Sequence, residues 1–332
     1  MAYVFFMRLV VCEKQFAAKR IAEILGGDSL SQKRKYRQPY FELDDFLVVG
    51  LSGHVLKVDF PEEFSSWSDV PFEELVRAPI EYSPDKKSII KLVKWLAKQS
   101  SELLIATDFD TEGESIGLEA VTIVSEVKEL PVKRMRFSSL TKSEILKSLD
   151  ELVELDEDLA LSADARREID LIWGAVLTRF LSVSTKRLGR KYLSAGRVQS
   201  PTLSLIVEKE KERLAFKPVP YWEFPLIVSK SGESFQARYE RKRVFDEELR
   251  DQLKSLSPDK AVVEGVSVRK KSTKPPSPFN TTGFLRAAAS LGFSGSNAMR
   301  IAEGLYLKGL ISYPRTDNQV YPESIDFKAI VE

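Results

Sequence analysis

Three carboxylates stand on alternate residues, Asp108, Asp110 and Glu112, within Thr107-Asp108-Phe109-Asp110-Thr111-Glu112-Gly113-Glu114. In a loop they can converge on one hard cation, and left unpaired they repel one another. Far along the chain, Ser312-Tyr313-Pro314-Arg315-Thr316-Asp317 sets a phenol two residues before a guanidinium. A free phenol titrates near 10, so as a nucleophile at neutral pH it needs a nearby cation and a group to manage its proton. Arg315 can clamp a phosphate through two parallel hydrogen bonds and stays charged. Pro314 fixes its own φ and restricts Tyr313, which helps present the side chain in a defined direction. The competing readings are an acidic loop before a helix and a structural tyrosine in a turn.

These groups need elements to position them. The trio follows an apolar strand, Leu103 to Thr107, and Glu13 follows another mostly apolar run, Met7 to Cys12. If the two strands are adjacent in a parallel sheet, Glu13 lies beside the trio at their carboxyl ends, where such sheets bind ligands. Ala17 to Leu25 has helical spacing ending at Gly26-Gly27, Phe41 to Phe60 reads as strands with turns at Gly50 and Gly53, and Ser88 to Gln99 as an amphipathic helix. The residues before Met7 read as an extension or an alternative start.

The fold class expected is a multidomain α/β plus α protein. It comprises a Rossmann-like parallel-sheet domain over residues 1–152, a helical domain over 153–218, a small β-rich segment over 219–274, and the start of a helical domain over 275–332. Lys274-Pro275-Pro276-Ser277-Pro278 marks the hinge before the last.

With 332 residues and 43% hydrophobic content the chain can bury a sizeable core. Its net charge is only +1, so local clusters must carry any affinity for polyanions. Cations gather at Lys33, Arg34, Lys35 and Arg37, at Lys186, Arg187, Arg190 and Lys191, and at Arg269, Lys270, Lys271 and Lys274. One cysteine, Cys12, and one histidine, His54, exclude an internal disulfide and a four-ligand zinc site. Any catalytic metal is therefore held by oxygen, which favours magnesium or manganese and no zinc. No run approaches the roughly 20 apolar residues of a membrane span and no secretory signal is legible, so the expected compartment is cytoplasmic, with no membrane partner. No G-x-x-x-x-G-K-[ST] loop for ATP occurs.

The pairing of Val11-Cys12-Glu13-Lys14 with Asp108-x-Asp110-x-Glu112-Gly113-Glu114 resembles the Toprim domain shared by topoisomerases, primases and some nucleases. Topoisomerases of this kind usually carry proline shortly after the first glutamate, where this chain has Gln15. Gly309 to Asp317 resembles the active-site segment of type IA DNA topoisomerases. Lys274 to Thr282, Ala287-Ala288, Leu291-Gly292-Phe293 and Ala302-Glu303-Gly304-Leu305-Tyr306 are similar to the family's approach to that tyrosine. Ala165 to Asp170 and Leu193 to Leu203 resemble the segments lining its groove for single-stranded DNA. The similarity runs in family order from about Arg8 to Ile325.

The resemblance implies ATP-independent breakage of one DNA strand, with Tyr313 forming a 5′-phosphotyrosine. It assigns Glu13 to proton transfer at the 3′ oxygen, Lys14 and Arg315 to charge stabilisation, and Asp108, Asp110 and Glu112 to magnesium, with manganese as a substitute. DNA contacts fall to Arg134, Arg166, Arg167, Asp170, Ser194, Arg197 and Gln199. The implied substrate is single-stranded or negatively supercoiled DNA, acted on in association with the nucleoid.

The family is of the archaeal topoisomerase I or III kind, or the topoisomerase half of a reverse gyrase. Its core is longer, so the expectation is a chain truncated within the third domain, without the family's further histidine. A missing C-terminal part or a helicase would be its partner. Two alternatives stay open: a DNA-binding fragment whose ring cannot close, and a Toprim nuclease or primase that leaves Tyr313 without a role. Relaxation, decatenation and positive supercoiling are not distinguished.

Overall fold

A computed structural model describes residues 7–67 and 69–321. The stretch before Met7 and the end of the expected 275–332 domain lie outside the described residues.

Branched apolar runs build the central strands. β1 (Arg8–Cys12) leads into α1 (Gln15–Gly26), which buries Ala17, Ala18, Ile21 and Ala22 at helical spacing. β2 (Ser31–Lys35) and β3 (Gln38–Glu42) form a hairpin, and β4 (Phe46–Gly50) is buried throughout. The hairpin turns on Tyr36 and Arg37, with φ of 50° and 67°. Two-residue hairpin turns with both φ positive usually take Asn-Gly. β2 was not expected, because Ser-Gln-Lys-Arg-Lys has no apolar alternation to reveal a strand.

β5 (Leu56–Asp59) pairs antiparallel with β6 (Glu81–Pro84), with α2 (Phe72–Arg77) between them. Then come α3 (Lys87–Ala97), β7 (Glu102–Ala106), α4 (Thr111–Ser125), β8 (Val132–Arg134) and α5 (Lys142–Asp150). The main sheet has the order β2-β3-β4-β1-β7-β8, with β4, β1, β7 and β8 mutually parallel. Alternate residues of β1 face opposite layers. Leu9 and Val11 join Leu92, Leu96, Ile116 and Ile123 of α3 and α4, whereas Val10 and Cys12 join Ala18, Ile21 and Ile145 of α1 and α5. Coverage of both faces accounts for the nearly continuous apolar strands.

The chain divides into two compact units, residues 1–197 with 276–332, and residues 198–275. α6 (Glu157–Ser184), capped by Asp156 at the amide of Leu159, packs along α4 and so continues the α/β unit. No division falls at 218/219: α7 (Gln199–Ala215), the hairpin of β9 (Pro225–Lys230) and β10 (Glu233–Arg238), and α8 (Glu247–Ser255) share the second unit. α9 (Thr281–Ser290) and α10 (Gly295–Leu307) belong to the first. The chain is thus a mixed α/β protein with a parallel sheet and long helices.

Candidate active site

Neighbouring strands deliver the first acids. Cys12 of β1 and Ala106 of β7 are register partners, so Glu13 and Asp108 leave the sheet at one edge. The Lys14 ammonium lies 2.9 Å from Glu13 Oε1 and 2.9 Å from Asp108 Oδ2. The other oxygen of Asp108 accepts from the Tyr306 hydroxyl at 3.0 Å, within the protein interior. Burial, and the charge of Asp108 behind it, push the Glu13 carboxyl up despite Lys14. Burial alone would lower the Lys14 pKa, but Asp108 and Glu13 outweigh it and hold the amine above its usual range.

The acidic loop is folded around Arg134. This side chain is 0% exposed. Its Nε donates to Glu114 Oε1 at 2.9 Å, and its other nitrogens donate to the carbonyls of Thr107, Asp108 and Met135 at 2.7–2.9 Å and of Ile105 at 3.3 Å. Arg134, which the family resemblance assigned to DNA, is thus placed inside the protein with its donors directed at Glu114 and backbone carbonyls. Phe137, in the same segment, is buried too. Gly113 closes the loop, since an added Cβ would lie 2.0 Å from the Asp108 carbonyl oxygen.

Asp110 has two tasks. Oδ1 accepts from the Gly113 amide at 2.7 Å and caps α4, and Oδ2 accepts from the Tyr313 hydroxyl at 2.5 Å. Tyr313 arrives from α10, where Gly309 at φ 70° turns the chain out of the helix against the Leu140 carbonyl. Its amide donates to the Ser138 carbonyl at 2.8 Å, and its ring meets Tyr306 edge-on at 5.1 Å. Thr281 at the start of α9 holds the far side, donating to the carbonyls of Pro314 and Thr316. Burial, the bond to Asp110 and the charges of Asp108 and Asp110 keep the half-buried phenol well above its usual pKa.

Two expected members stand apart. Glu112 turns to His54, whose Nε2 lies 3.0 Å from Glu112 Oε2. His54 Nδ1 lies 2.8 Å from buried Glu119, which also accepts from Arg167 at 2.7 Å and from the Val55 and Leu56 amides. Among the described residues no three His, Cys, Asp or Glu side chains are grouped as metal ligands; the oxygens of the expected trio face separate protein partners, Lys14 and Tyr306 for Asp108, Gly113 and Tyr313 for Asp110, and His54 for Glu112. Arg315 is exposed and clamped on Glu303 through Nε at 3.0 Å and Nη2 at 2.5 Å.

The groove residues are also divided. Arg167 donates to Glu119, Asp164 and the Leu56 carbonyl and so ties α6 to α4 and β5. Arg166 is exposed on α6, and Asp170 receives Arg197 at 2.6 and 3.1 Å. Ser194 lines a cavity of about 760 Å³ with Trp67, Thr178 and Tyr192. Gln199 opens α7 in the second unit.

His54, Glu119 and the role of Tyr306 were missed. Only Glu119 leaves a local signal, a carboxylate in the apolar stripe of Ile116, Ala120 and Ile123 on α4.

Residues 8–140 match the Toprim domain, and residues 154–332 match the DNA topoisomerase family. The chain is 40% identical over 330 residues to DNA topoisomerase 1 of Thermoplasma acidophilum, covering 98% of this chain and 42% of the relative. It is 43% identical over 326 residues to DNA topoisomerase 1 of Archaeoglobus fulgidus, covering 97% and 48%. DNA topoisomerase 3-beta of Arabidopsis thaliana is 35% identical over 344 residues, covering 96% and 39%. The structure of full-length topoisomerase I from Thermotoga maritima superposes with a TM-score of 0.70 at 31% identity, covering 95% of this chain and 50% of that one. The chain spans about half the length of the relatives it matches, or less. Both matched regions, and the order in which Glu13, the acidic loop and Tyr313 follow one another, lead to one family: this chain belongs to the type IA DNA topoisomerases and carries their Toprim domain.

Proposed function

We propose that the enzyme containing this chain cuts one DNA strand with Tyr313, holds it as a 5′-phosphotyrosine, and rejoins it after strand passage without ATP. Such a cycle relaxes negative supercoils or separates linked molecules. The observation that carries the reading is the bond from the Tyr313 phenol to Asp110, next to Asp108, Lys14 and Glu13.

In cleavage, Tyr313 Oη bonds to phosphorus as the bond to the 3′ oxygen breaks. The phenol proton passes to Asp110, already its hydrogen-bond acceptor. Glu13 gives a proton to the departing 3′ oxygen, and its raised pKa suits it to that task. Lys14 offers positive charge to the phosphoryl oxygens. Arg315 reaches the phosphate by exchanging Glu303 for it, a trade between two anions by a permanent cation. Rejoining reverses each transfer. The covalent link conserves the bond energy, so no nucleotide is consumed.

Toprim domains bind metal, and here Asp108 and Asp110 present an all-oxygen donor set that fits magnesium or manganese. Bound there, the ion supplies positive charge that offsets the crowded carboxylates and steadies the DNA backbone for rejoining. Glu112, held by His54, serves first to anchor the loop.

The substrate is single-stranded or negatively supercoiled DNA in the cytoplasm, with the remaining part of the enzyme or a helicase as partner. Among the described residues no helix is long and apolar enough to cross a membrane. The test is to incubate the chain with labelled single-stranded DNA, with and without magnesium, then trap and digest. A labelled peptide containing Tyr313, lost in Tyr313→Phe, supports the reading. Retention of DNA without adduct points to a binding fragment, and free ends without attached protein point to a nuclease.

A further inference from the structure

The cations at 33–37 take no part in this chemistry, yet the register sets them at its end of the sheet. Phe41 pairs with Val48, so Gln38 at the start of β3 lies level with Leu51, one step past Gly50 and its partner Cys12. The Tyr36–Arg37 turn thus projects beyond the carboxyl ends of the parallel strands, on the side of Glu13, with β3 two strands from β1 or roughly 10 Å. Arg34, Tyr36 and Arg37 are exposed. Lys33 is held by Glu42, and Lys35 lies 4.3 Å over the Trp95 ring.

The hairpin is joined to the active-site loop. Gln38 donates to Ser88 Oγ at 2.9 Å, which brings it to the start of α3 beside Lys86 and Lys87, with Asp85 the nearest acid in sequence. Lys86 donates to the Ser52 carbonyl at 2.5 Å, and the next amide, Gly53, donates to the Glu13 carbonyl at 2.9 Å. Beside this loop a cleft of about 370 Å³ is lined by Lys14, Phe16, Ser52, Gly53 and Leu307. Phe16 is 70% exposed.

The bland reading is a charged edge strand that blocks association with other sheets. That role requires charge along β2. It requires neither a cation and a ring on a turn held at two positive φ, where Asn-Gly would be relaxed, nor an exposed phenylalanine in the cleft that Lys14 lines. Cations interleaved with exposed rings are what sequence-independent binding of a single strand uses, the cations following phosphates and the rings stacking on bases.

We propose that the DNA strand continues from the acidic site through the Phe16 cleft, past Lys86 and Lys87, to Arg34 and Arg37. This track is separate from the groove residues on α6, and it rests on the strand-cleavage reading above. It contacts backbone and ring faces only, so it carries no sequence preference.

The test uses Tyr313→Phe as parent, to prevent cleavage, and fluorescence anisotropy with labelled oligothymidylates. One is just long enough to span the cleaved site and one extends well past it on both sides. In the variant Arg34→Ala/Tyr36→Asn/Arg37→Gly the Asn-Gly pair suits the turn and keeps the hairpin folded. It should bind the long oligonucleotide on the order of tenfold more weakly, with a salt slope lower by about 1.4 for two lost phosphate contacts. Its affinity for the short one should equal the parent's. Phe16→Ala should weaken binding of the long strand without changing the slope.

Unchanged affinity and slope for the long strand overturn the track and leave the cleavage reading standing. An equal loss on both oligonucleotides also overturns it. A parent that binds neither sinks both proposals.

Discussion

The phenol of Tyr313 donates to Asp110 Oδ2 at 2.5 Å although 203 positions separate them in the chain. The same carboxylate caps α4 through the Gly113 amide, so Tyr313 is tied to the helix start that carries the acidic loop. Burial, this bond and the surrounding acids keep the phenol protonated. On the proposed mechanism this holds the attacking phenol in its protonated form, with Asp110 as the first acceptor of its proton.

Asp110→Asn tests that account. Asparagine caps a helix about as well as aspartate, so the fold should survive. The phenol loses its proton acceptor, and single-turnover adduct formation should fall by roughly 10²–10⁴-fold. DNA binding should not weaken, since a negative charge has been removed. The residual rate should climb with pH as hydroxide takes over the proton. A rate equal to the parent's would remove Asp110 from the proton's path.

Arg134→Leu should destabilise the chain by about 3–5 kcal/mol, because it leaves Glu114 charged and unpaired in the interior. Chemical denaturation measures the loss. Arg134→Lys should recover little of it, since one ammonium cannot replace donors directed at Glu114 and at separate carbonyls. A variant of parental stability but poor DNA affinity would restore Arg134 to the DNA surface.

The contrast with Arg134 marks where sequence reading succeeds and where it stops. β1, α1, β7 and the acidic loop were legible because apolar period and strand-end acids are local signals, and the motif around Tyr313 is compact. Arg134 was assigned to DNA by family resemblance alone, and nothing local in the sequence tells that Glu114 and the backbone carbonyls of the folded loop surround it. Glu112 looked like a third ligand by its spacing. Its partner His54 lies 58 positions away and is brought to it only by the loop after β4. α6 belongs to the first unit because it rests on α4, and helical periodicity does not say what a helix packs against.

Tyr306 is a positioning residue. Its hydroxyl fills the second oxygen of buried Asp108, and its ring edge abuts Tyr313. Tyr306→Phe keeps the ring and strands one carboxylate oxygen, at a cost of about 1–3 kcal/mol. Adduct formation should slow while the Kd for DNA stays at the parental value. Tyr306→Leu, which also removes the ring edge, should slow it further. Equal rates in Tyr306→Phe and the parent would leave the hydroxyl with no part in aligning the site.

His54 gives the remaining prediction, and its sign follows from two opposed shifts. Burial works against a charged imidazole, but the bonds to Glu119 and Glu112 outweigh it and raise the pKa above 6.5. The folded state therefore favours protonated His54. Its stabilisation is complete below about 6.5 and fades as pH rises through the raised value. Glu119 behaves oppositely: burial would raise its pKa, but hydrogen bonds from His54, Val55 and Arg167 hold it below 4.5, so its contribution is present above that pH and fades as pH falls through the depressed value. The network is strongest between those limits. In buffer without divalent cations, His54→Gln should lower Tm most in that window, by an amount equivalent to about 1 kcal/mol after allowing for partial exposure. The gap between parent and variant should narrow as pH rises beyond it. A gap that widens with pH would mean that neutral His54 is the form the fold prefers, and the link from the acidic loop through Glu119 to α6 would then not depend on charge.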